Sequence, residues 1–328
     1  MKAAVHDRYG APEDVRLIEI DRPTPTDDQV LVRVKAASVN RADLDYIEAR
    51  PWFIRLFTGV RAPRNPRLGF DAAGVVEEIG SGVTTLKAGD RVFGELYLFG
   101  HGAFAEYVVA PERAFSSIPD EMSFDDASTL PHSALLAAQS LGRRKSGQAI
   151  KEGDEVLIGG ASGNVGPFAV QMAKAMGANV TGVCSADKAD FVRSLGADHV
   201  IDYRTTDYTA TGKLYDWIVD VDSHHSILRV RHALKPGGVY VTLGGNAIPL
   251  FDAMIVGPIV SRATGKRLGL LLDWKPFPQD DVAAVKALIA AGKVRPVIDR
   301  RYPLDEVGDA LRYVAERRPK GKVVITIA

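Results

Sequence analysis

Apolar positions fall into two patterns along the chain. Up to about residue 124 they cluster in short runs rich in β-branched residues. Lys2–His6, Val15–Ile20 and Gln29–Val39 are such runs, bounded by turn formers such as Pro23 and Pro25. Further short ones follow at Gly74–Ile79, Arg91–Phe93 and Phe104–Ala110. Short strands at close spacing, with glycine and proline between them, predict a compact barrel-like domain. From about Ser123 the pattern changes. A helix is expected around Leu130–Leu141, then a basic polar loop, RRKSGQAIKEGD, and a β-type run at Glu155–Ile158. Phe168, Ala169, Met172, Ala173 and Met176 have helical spacing, and Gly177 closes the segment where a helix C-cap is expected. Beyond it, strands at Val180–Cys184, His199–Asp202, Trp217–Asp220 and Val239–Leu243 alternate with helices that start near Asp187 and His224. That alternation predicts an α/β, doubly wound parallel sheet. After a helix near Asp280–Ala291 the chain turns β-rich again and ends in GKVVITIA, so the tail is expected to rejoin the first domain. The expected division is 1–124 with 276–328, and 125–275.

Composition narrows the function. Forty-one basic and 41 acidic residues leave zero net charge, which gives no electrostatic footprint for nucleic acid. The N-terminus MKAAVHDRYG lacks the apolar core of a signal peptide and the basic helix of a transit peptide. No apolar run is read as approaching the length of a membrane span. One cysteine, Cys184, excludes an internal disulfide and any multi-cysteine metal site. A soluble cytosolic protein is the expected default.

The chemistry starts at EVLIGGASGNVG, Glu155 to Gly166. A strand, a cluster of small residues, a helix and a second strand make the βαβ unit that binds dinucleotides. Its glycines let the backbone approach a pyrophosphate, whose charge sits on free N–H groups at the helix start. The spacing of Gly160, Gly163 and Gly166 is G-x-x-G-x-x-G, a variant of the usual fingerprint that marks only a tight turn when it stands alone. Its context makes Gly160, Ala161, Ser162, Gly163, Asn164, Val165 and Gly166 the cofactor-binding candidates.

Several dispersed segments occur in order: VLVRVKAASVNRAD, LGFDAAGVVEEIG, GDRVFGE, GAFAEYVVAP, GASGNVG, RSLGADHVIDY, LKPGG and GKVVITI. In this the chain resembles the medium-chain dehydrogenase/reductase superfamily, in particular its zinc-free, quinone-oxidoreductase-like branch, over nearly its whole length. The resemblance implies a GroES-like catalytic domain, completed by the C-terminus, around an inserted Rossmann domain, with the cofactor in the cleft between them. Zinc-dependent relatives have a Cys at the place of Asn40 and Gly-His-Glu at Gly69-Phe70-Asp71. An amide and a phenyl ring cannot replace a thiolate and an imidazole, so no zinc is expected. His224 and His225 are adjacent, the wrong spacing for one helix face, and are read as solvated.

At the end of the second Rossmann strand, where NAD binders usually carry an acid, stand Cys184 and Ser185, followed by Lys188. The resemblance implies that Ser185, Lys188 and Tyr203 hold a 2′-phosphate, which favours NADP(H). Asp187 is the contrary sign. Leu243 and Gly244, at the end of the fifth strand, complete the cofactor set. By resemblance Asn40 lies near the nicotinamide and Asp43 is the usual acid three residues on, with a structural alternative as the local helix cap. Tyr46 is the nearest tyrosine to this motif and the candidate hydrogen-bond donor, with packing under a neighbouring arm as the alternative. Relatives have Tyr at the place of Asp45, Thr at that of Leu136 and often Val-Gly at that of Asp222-Ser223. These departures leave substrate choice open.

The stretch Arg50–Leu68 has no acidic residue, but Arg50, Arg55, Arg61, Arg64 and Arg67 stand among Trp52, Phe53, Ile54, Leu56 and Phe57. It reads as an arm over the barrel with its arginines outward. A lip for a flat apolar substrate, or a contact for anionic partners or membranes, is the alternative. Ile248–Trp274 reads as apolar core, an interface or a wall of the cleft. Together these readings predict an NADPH-dependent, zinc-free oxidoreductase that passes hydride to a conjugated carbonyl, most simply a quinone. An enone or alkenal reductase and a non-catalytic NADPH-binding protein are the rivals. The expected partners are a small molecule and, in some assemblies, a second copy as a homodimer.

Overall fold

The structure is a computed structural model, and it describes residues 1–142 and 149–328; the first six residues of the basic loop lie outside the described residues. The chain forms two compact units. One comprises Met1–Ser133, Pro276–Val282 and Pro296–Ala328, the other Ala134–Lys275 and Ala283–Arg295.

The first unit holds β1 (Lys2–Val5), β2 (Arg16–Glu19), β3 (Gln29–Val39), β4 (Asp71–Ile79), β5 (Arg91–Glu95), β6 (Tyr107–Pro111) and β7 (Phe115–Ser117). The second holds β8 (Glu155–Gly159), β9 (Asn179–Cys184), β10 (His199–Asp202), β11 (Tyr215–Asp220), β12 (Leu234–Thr242) and β13 (Arg267–Leu270). The chain returns to the first unit with β14 (Ile298–Pro303) and β15 (Lys322–Thr326). The helices are α1 (Arg41–Glu48), α2 (Arg55–Thr58), α3 (Phe124–Ser128), α4 (Pro131–Ser140), α5 (Gly166–Ala175), α6 (Ala189–Ser194), α7 (Ile227–Val230), α8 (Ala247–Thr264), α9 (Gln279–Ala290) and α10 (Val307–Ala315).

In the first unit the strand order is β14-β15-β3-β4-β5-β7, with β6 also pairing β3. The long strand β3 is its spine. Val30, Val32, Val34 and Val39 are fully buried and join Leu68, Phe70, Leu96, Phe104, Leu311 and Ile325 in one core. Val323, Val324, Ile325 and Thr326 of the tail pair antiparallel with Val39, Ser38, Ala37 and Ala36.

The second unit is an all-parallel sheet in the order β10-β9-β8-β11-β12-β13. Numbered from its own first strand this is 3-2-1-4-5-6, the Rossmann order, with the strand order reversing between β8 and β11. Buried Leu157, Tyr215, Ile218, Tyr240 and Leu268 lie in its core cluster.

The Ile248–Trp274 run is not ordinary core. Helix α8 buries only Pro249, Ala253, Gly257 and Val260, while Ile248, Phe251, Met254, Ile255 and Ile259 are exposed. It is also long and apolar enough to cross a membrane by length and composition, contrary to the expectation that no run approaches that length. Its inner face is tied to β13: Ser261 Oγ donates to the Gly257 carbonyl of its own helix at 2.7 Å and accepts from the Leu268 amide at 2.9 Å.

Candidate functional site

Strand β8 runs directly into the glycine turn, whose shape follows from where side chains cannot go. Gly160 has the left-handed φ of 70° that favours glycine. A Cβ at Gly166 would lie 2.2 Å from the Gly160 carbonyl oxygen and 2.6 Å from the Ala161 backbone, so the first turn of α5 packs straight onto the loop. At Gly159 a Cβ would meet Asp220 Oδ1 at 2.6 Å, which brings the ends of β8 and β11 together. Gly163 differs. A Cβ there would meet just the Gly160 carbonyl oxygen, at 3.4 Å, so its outer side is open. Ala161, Ser162, Asn164 and Val165 complete this concave turn at the carboxyl end of β8. It lies where the strand order reverses, the place where open α/β sheets bind ligands. The turn therefore fits a dinucleotide pyrophosphate.

Residues separated in sequence meet at the ends of β9 and β10, because Asp202 pairs with Cys184 and the Tyr203 amide donates to the Cys184 carbonyl at 3.2 Å. Ser185 and Lys188 are largely buried there and Tyr203 is exposed. Asp187 stands among them, its carboxyl held below the usual range chiefly by the Ser185 hydroxyl. Arg204 Nη1 lies 3.4 Å from Asp187 Oδ1 and its guanidinium 5.8 Å from the Tyr203 ring centre. Sequence reading passed over this arginine, although it directly follows the tyrosine. Leu243 and Gly244 lie beyond β12. The Leu243 amide donates to the Asp220 carbonyl at 3.0 Å, and the Gly244 carbonyl accepts from the Ser223 amide at 2.9 Å. Of the adjacent histidines His224 is exposed as expected, whereas His225 is half-buried, and each faces a carboxylate. His224 Nε2 is 3.3 Å from Asp222 Oδ2 and His225 Nε2 is 3.7 Å from Asp207 Oδ1.

Asn40 and Asp43 come together in the first unit. Asn40 directly follows the long β3 and caps α1, and its backbone N–H donates to Asp43 Oδ2 at 2.7 Å. The Asn40 side chain is engaged at both atoms. Nδ2 donates to Asp71 Oδ2 at 2.9 Å, while Oδ1 accepts from Lys322 Nζ at 2.6 Å and from the Ser133 hydroxyl at 3.2 Å. Lys322 is 1 % exposed and its Nζ lies 3.8 Å from Asp71 Oδ2. Asp71 Oδ2 also accepts from Ser38 at 3.0 Å, and Oδ1 from the His132 amide at 3.1 Å. His132 Nδ1 lies 2.6 Å from Glu95 Oε1. Asn40, Asp43, Asp71, Glu95, His132, Ser133 and Lys322 thus form one buried polar network, most of it absent from the sequence reading. The available signal was a charge inside an apolar run, Lys322 in GKVVITIA and Asp71 in LGFDAAG.

Burial sets the protonation in this network. It pushes the Asp43 carboxyl up to about 8, and it raises Asp71 against the opposing pull of Lys322. Burial also lowers Lys322. On His132 burial works the same way, but the Glu95 hydrogen bond and charge outweigh it and the imidazole is raised.

Tyr46 lies apart from these groups. Its hydroxyl donates to the Asn65 carbonyl at 2.9 Å, and its ring meets His6, Phe70 and His101 edge-on at 5.1, 6.3 and 4.5 Å. Burial raises the phenol to about 12 and lowers His101 to about 4, so both are neutral near pH ~7. The donor set around Asn40 does not fit zinc, because the amide is spent on Asp71, Lys322 and Ser133 and the Phe70 ring packs on Tyr97 and His101. Among the described residues no group of three or more His, Cys, Asp and Glu is placed to hold a metal ion.

Residues 26–120 match the family model of the alcohol dehydrogenase GroES-like domain, and residues 195–325 that of the zinc-binding dehydrogenase. The chain is 32% identical over 338 residues to the chloroplast envelope quinone oxidoreductase homolog of Arabidopsis thaliana, covering 99% of this chain and 98% of that protein. The chain belongs to the medium-chain dehydrogenase/reductase superfamily, in its quinone-oxidoreductase-like branch. This member of the superfamily is an oxidoreductase. It is also 32% identical to the mitochondrial NAD(P)H oxidoreductase RTN4IP1 of Mus musculus, over 100% of this chain and 89% of that protein. The solved quinone oxidoreductase of Coxiella burnetii superposes with a TM-score of 0.88 at 29% identity, covering 100% of this chain and 99% of that one. The names of the first two relatives refer to a chloroplast envelope and to mitochondria and lend the cytosolic expectation no support.

Proposed function

We propose that this oxidoreductase uses NADPH, without zinc, to reduce a conjugated carbonyl acceptor, most simply a quinone. The observation that carries the reading is the open glycine turn at the reversal of a 3-2-1-4-5-6 sheet, with Ser185, Lys188, Tyr203 and Arg204 gathered beyond the second strand. A bound nicotinamide would supply the hydride. Gly160–Gly166 would receive the pyrophosphate on backbone N–H groups, and the hydroxyl and cationic side chains would favour a 2′-phosphate. Leu243 and Gly244 would line the same end of the sheet.

On the acceptor side, Asp43 fixes the Asn40 backbone and Lys322, Ser133 and Asp71 fix its amide, so these are positioning residues in this reading. Tyr46, protonated at neutral pH, is the donor it offers to an acceptor oxygen, in exchange for its bond to the Asn65 carbonyl. Quinones and enones spread the charge that hydride transfer creates over a π-system. A saturated ketone concentrates it on one oxygen, which needs a closer cation or metal.

NADPH oxidation is to be followed with a small benzoquinone, an alkenal, a saturated ketone and no acceptor, each with and without chelator. Chelator-insensitive turnover of the quinone is expected, with the ketone inert. Turnover of the alkenal alone would favour the double-bond reductase. NADPH binding without acceptor-dependent oxidation would mark a cofactor-binding protein.

A further inference from the structure

The arm between α1 and β4 serves neither the glycine turn nor the buried network. It consists of a short 3-10 turn, Trp52–Ile54, and the single-turn helix α2. Its base is pinned. The Tyr9 hydroxyl bonds the Thr58 hydroxyl and the Gly59 carbonyl, both at 2.7 Å, the Arg64 amide donates to the Thr58 carbonyl at 2.7 Å, and Tyr46 holds Asn65. Its crest is not covered. Trp52 is 73% exposed and Phe57 76%, and Leu56 and Val60 lie open beside them. Four of the five arginines are outward as expected, while Arg67 is half-buried and donates to the Gly100 carbonyl at 3.3 Å; Trp52, Leu56, Phe57 and Val60 point outward too, which a mere cover over the barrel does not require.

Charge decides what suits this surface. From Ala49 to Phe70 there is no acidic residue. Arg50 is met by Glu48 at 3.3 Å. Arg55 stacks over the Tyr9 ring at 4.9 Å, and Arg61 and Arg64 are exposed. No ion pair to a carboxylate is formed by Arg55, Arg61 or Arg64 among the described residues. Exposed tryptophan, phenylalanine and leucine beside three arginines with no carboxylate partner among the described residues match the headgroup layer of an anionic bilayer. There the rings enter the acyl boundary and the guanidinium groups meet phosphate. The exposed face of α8 is charged differently, with Asp252 near its start and one basic residue, Arg262, in its last turn.

We propose that the arm from Arg50 to Arg64 docks the protein on anionic lipid bilayers. The pinned base holds the crest in place, so no folding of the arm is needed on contact.

The test is co-sedimentation of the full chain with vesicles of phosphatidylcholine alone and of phosphatidylcholine mixed with phosphatidylserine. Binding is expected to the mixed vesicles and to fade as salt rises from about 0.1 M to about 1 M, as the screening length shrinks from ~10 to ~3 Å. An arginine near such a surface changes partition roughly five-fold, so Arg61→Gln/Arg64→Gln should lower it about 25-fold. Trp52→Ser/Phe57→Ser should abolish binding with the melting temperature unchanged, whereas Ile255→Ser/Ile259→Ser on α8 should bind as the parent does. Equal binding to both vesicle types, or losses in the α8 variant alone, would overturn the proposal. So would self-association abolished by Trp52→Ser/Phe57→Ser without vesicle binding, which would make a second copy the occupant.

Discussion

Removing the one lysine of the buried network gives the sharpest prediction. Lys322 Nζ lies 3.8 Å from Asp71 Oδ2, a separation worth about 4 kcal/mol at an effective dielectric constant of about 20. The same ammonium also donates to Asn40 at 2.6 Å and to Ser133 at 3.0 Å. Lys322→Met keeps much of the side-chain volume but leaves Asp71, with no exposed surface, short of its cation. Breaking one side of a buried pair costs about 3–5 kcal/mol. For a unit of this size that is a fall of roughly 6–20 °C in melting temperature. Asp71→Asn in the Lys322→Met background removes the stranded charge and should restore most of the loss, so the two changes are strongly non-additive. Urea and thermal unfolding of the wild type, both single variants and the double variant read this directly. Wild-type stability for Lys322→Met, or a double variant no better than the single, would refute the pairing.

Three further outcomes are expected. Asp43 is raised to about 8 in the fold, against about 3.9 in an unfolded chain, so its contribution is complete below about pH 4 and lost as pH climbs through 8. Asp43→Asn should flatten that slope, and the stability difference between wild type and variant should change by up to about 4 kcal/mol between pH ~5 and pH ~8 in urea titrations. Parallel profiles would show that Asp43 is not protonated on folding. Gly166→Ala drives a Cβ to 2.2 Å from the Gly160 carbonyl oxygen and should cost about 1–3 kcal/mol together with cofactor binding, while Gly163→Ala should fold normally and weaken binding alone. Lys188→Ala should weaken NADPH roughly 10- to 100-fold in fluorescence titrations and leave NADH nearly unchanged, and equal losses would assign Lys188 to the fold.

What could be read from the chain alone was local. The glycine turn, β3 and β10 follow from residue type and period over a few positions, and the structure has β3 at Gln29–Val39 and β10 at His199–Asp202. The buried network was not legible, because Asn40 and Lys322 are 282 positions apart and meet through strand pairing. A charge within an apolar run shows that something is buried and does not name its partner. That Ile248–Trp274 holds a helix with an open apolar face rather than ordinary core was hidden for a different reason. Its apolar residues run all the way round, so periodicity gave no clue that one face packs on β13 and the other is left open.

The contact between α8 and β13 also governs whether the sheet can grow. The Leu271 amide bonds the Thr242 carbonyl, so by the alternation of a parallel ladder Leu268 and Leu270 direct their backbone groups away from β12. The Leu268 amide is already given to Ser261, the Leu268 carbonyl lies against Gly257 of the helix, and the Leu270 carbonyl is taken by the Leu272 amide at 2.8 Å. Gly257 lets the helix come this close, since a Cβ there would sit 2.5 Å from the Leu268 carbonyl oxygen. This rim offers a foreign strand little to zip onto, which guards the sheet against edge-to-edge aggregation. Any pairing of two copies on this side must proceed through side chains of the helix rather than through a continuous ladder. Ser261→Ala is the change that would unlock it.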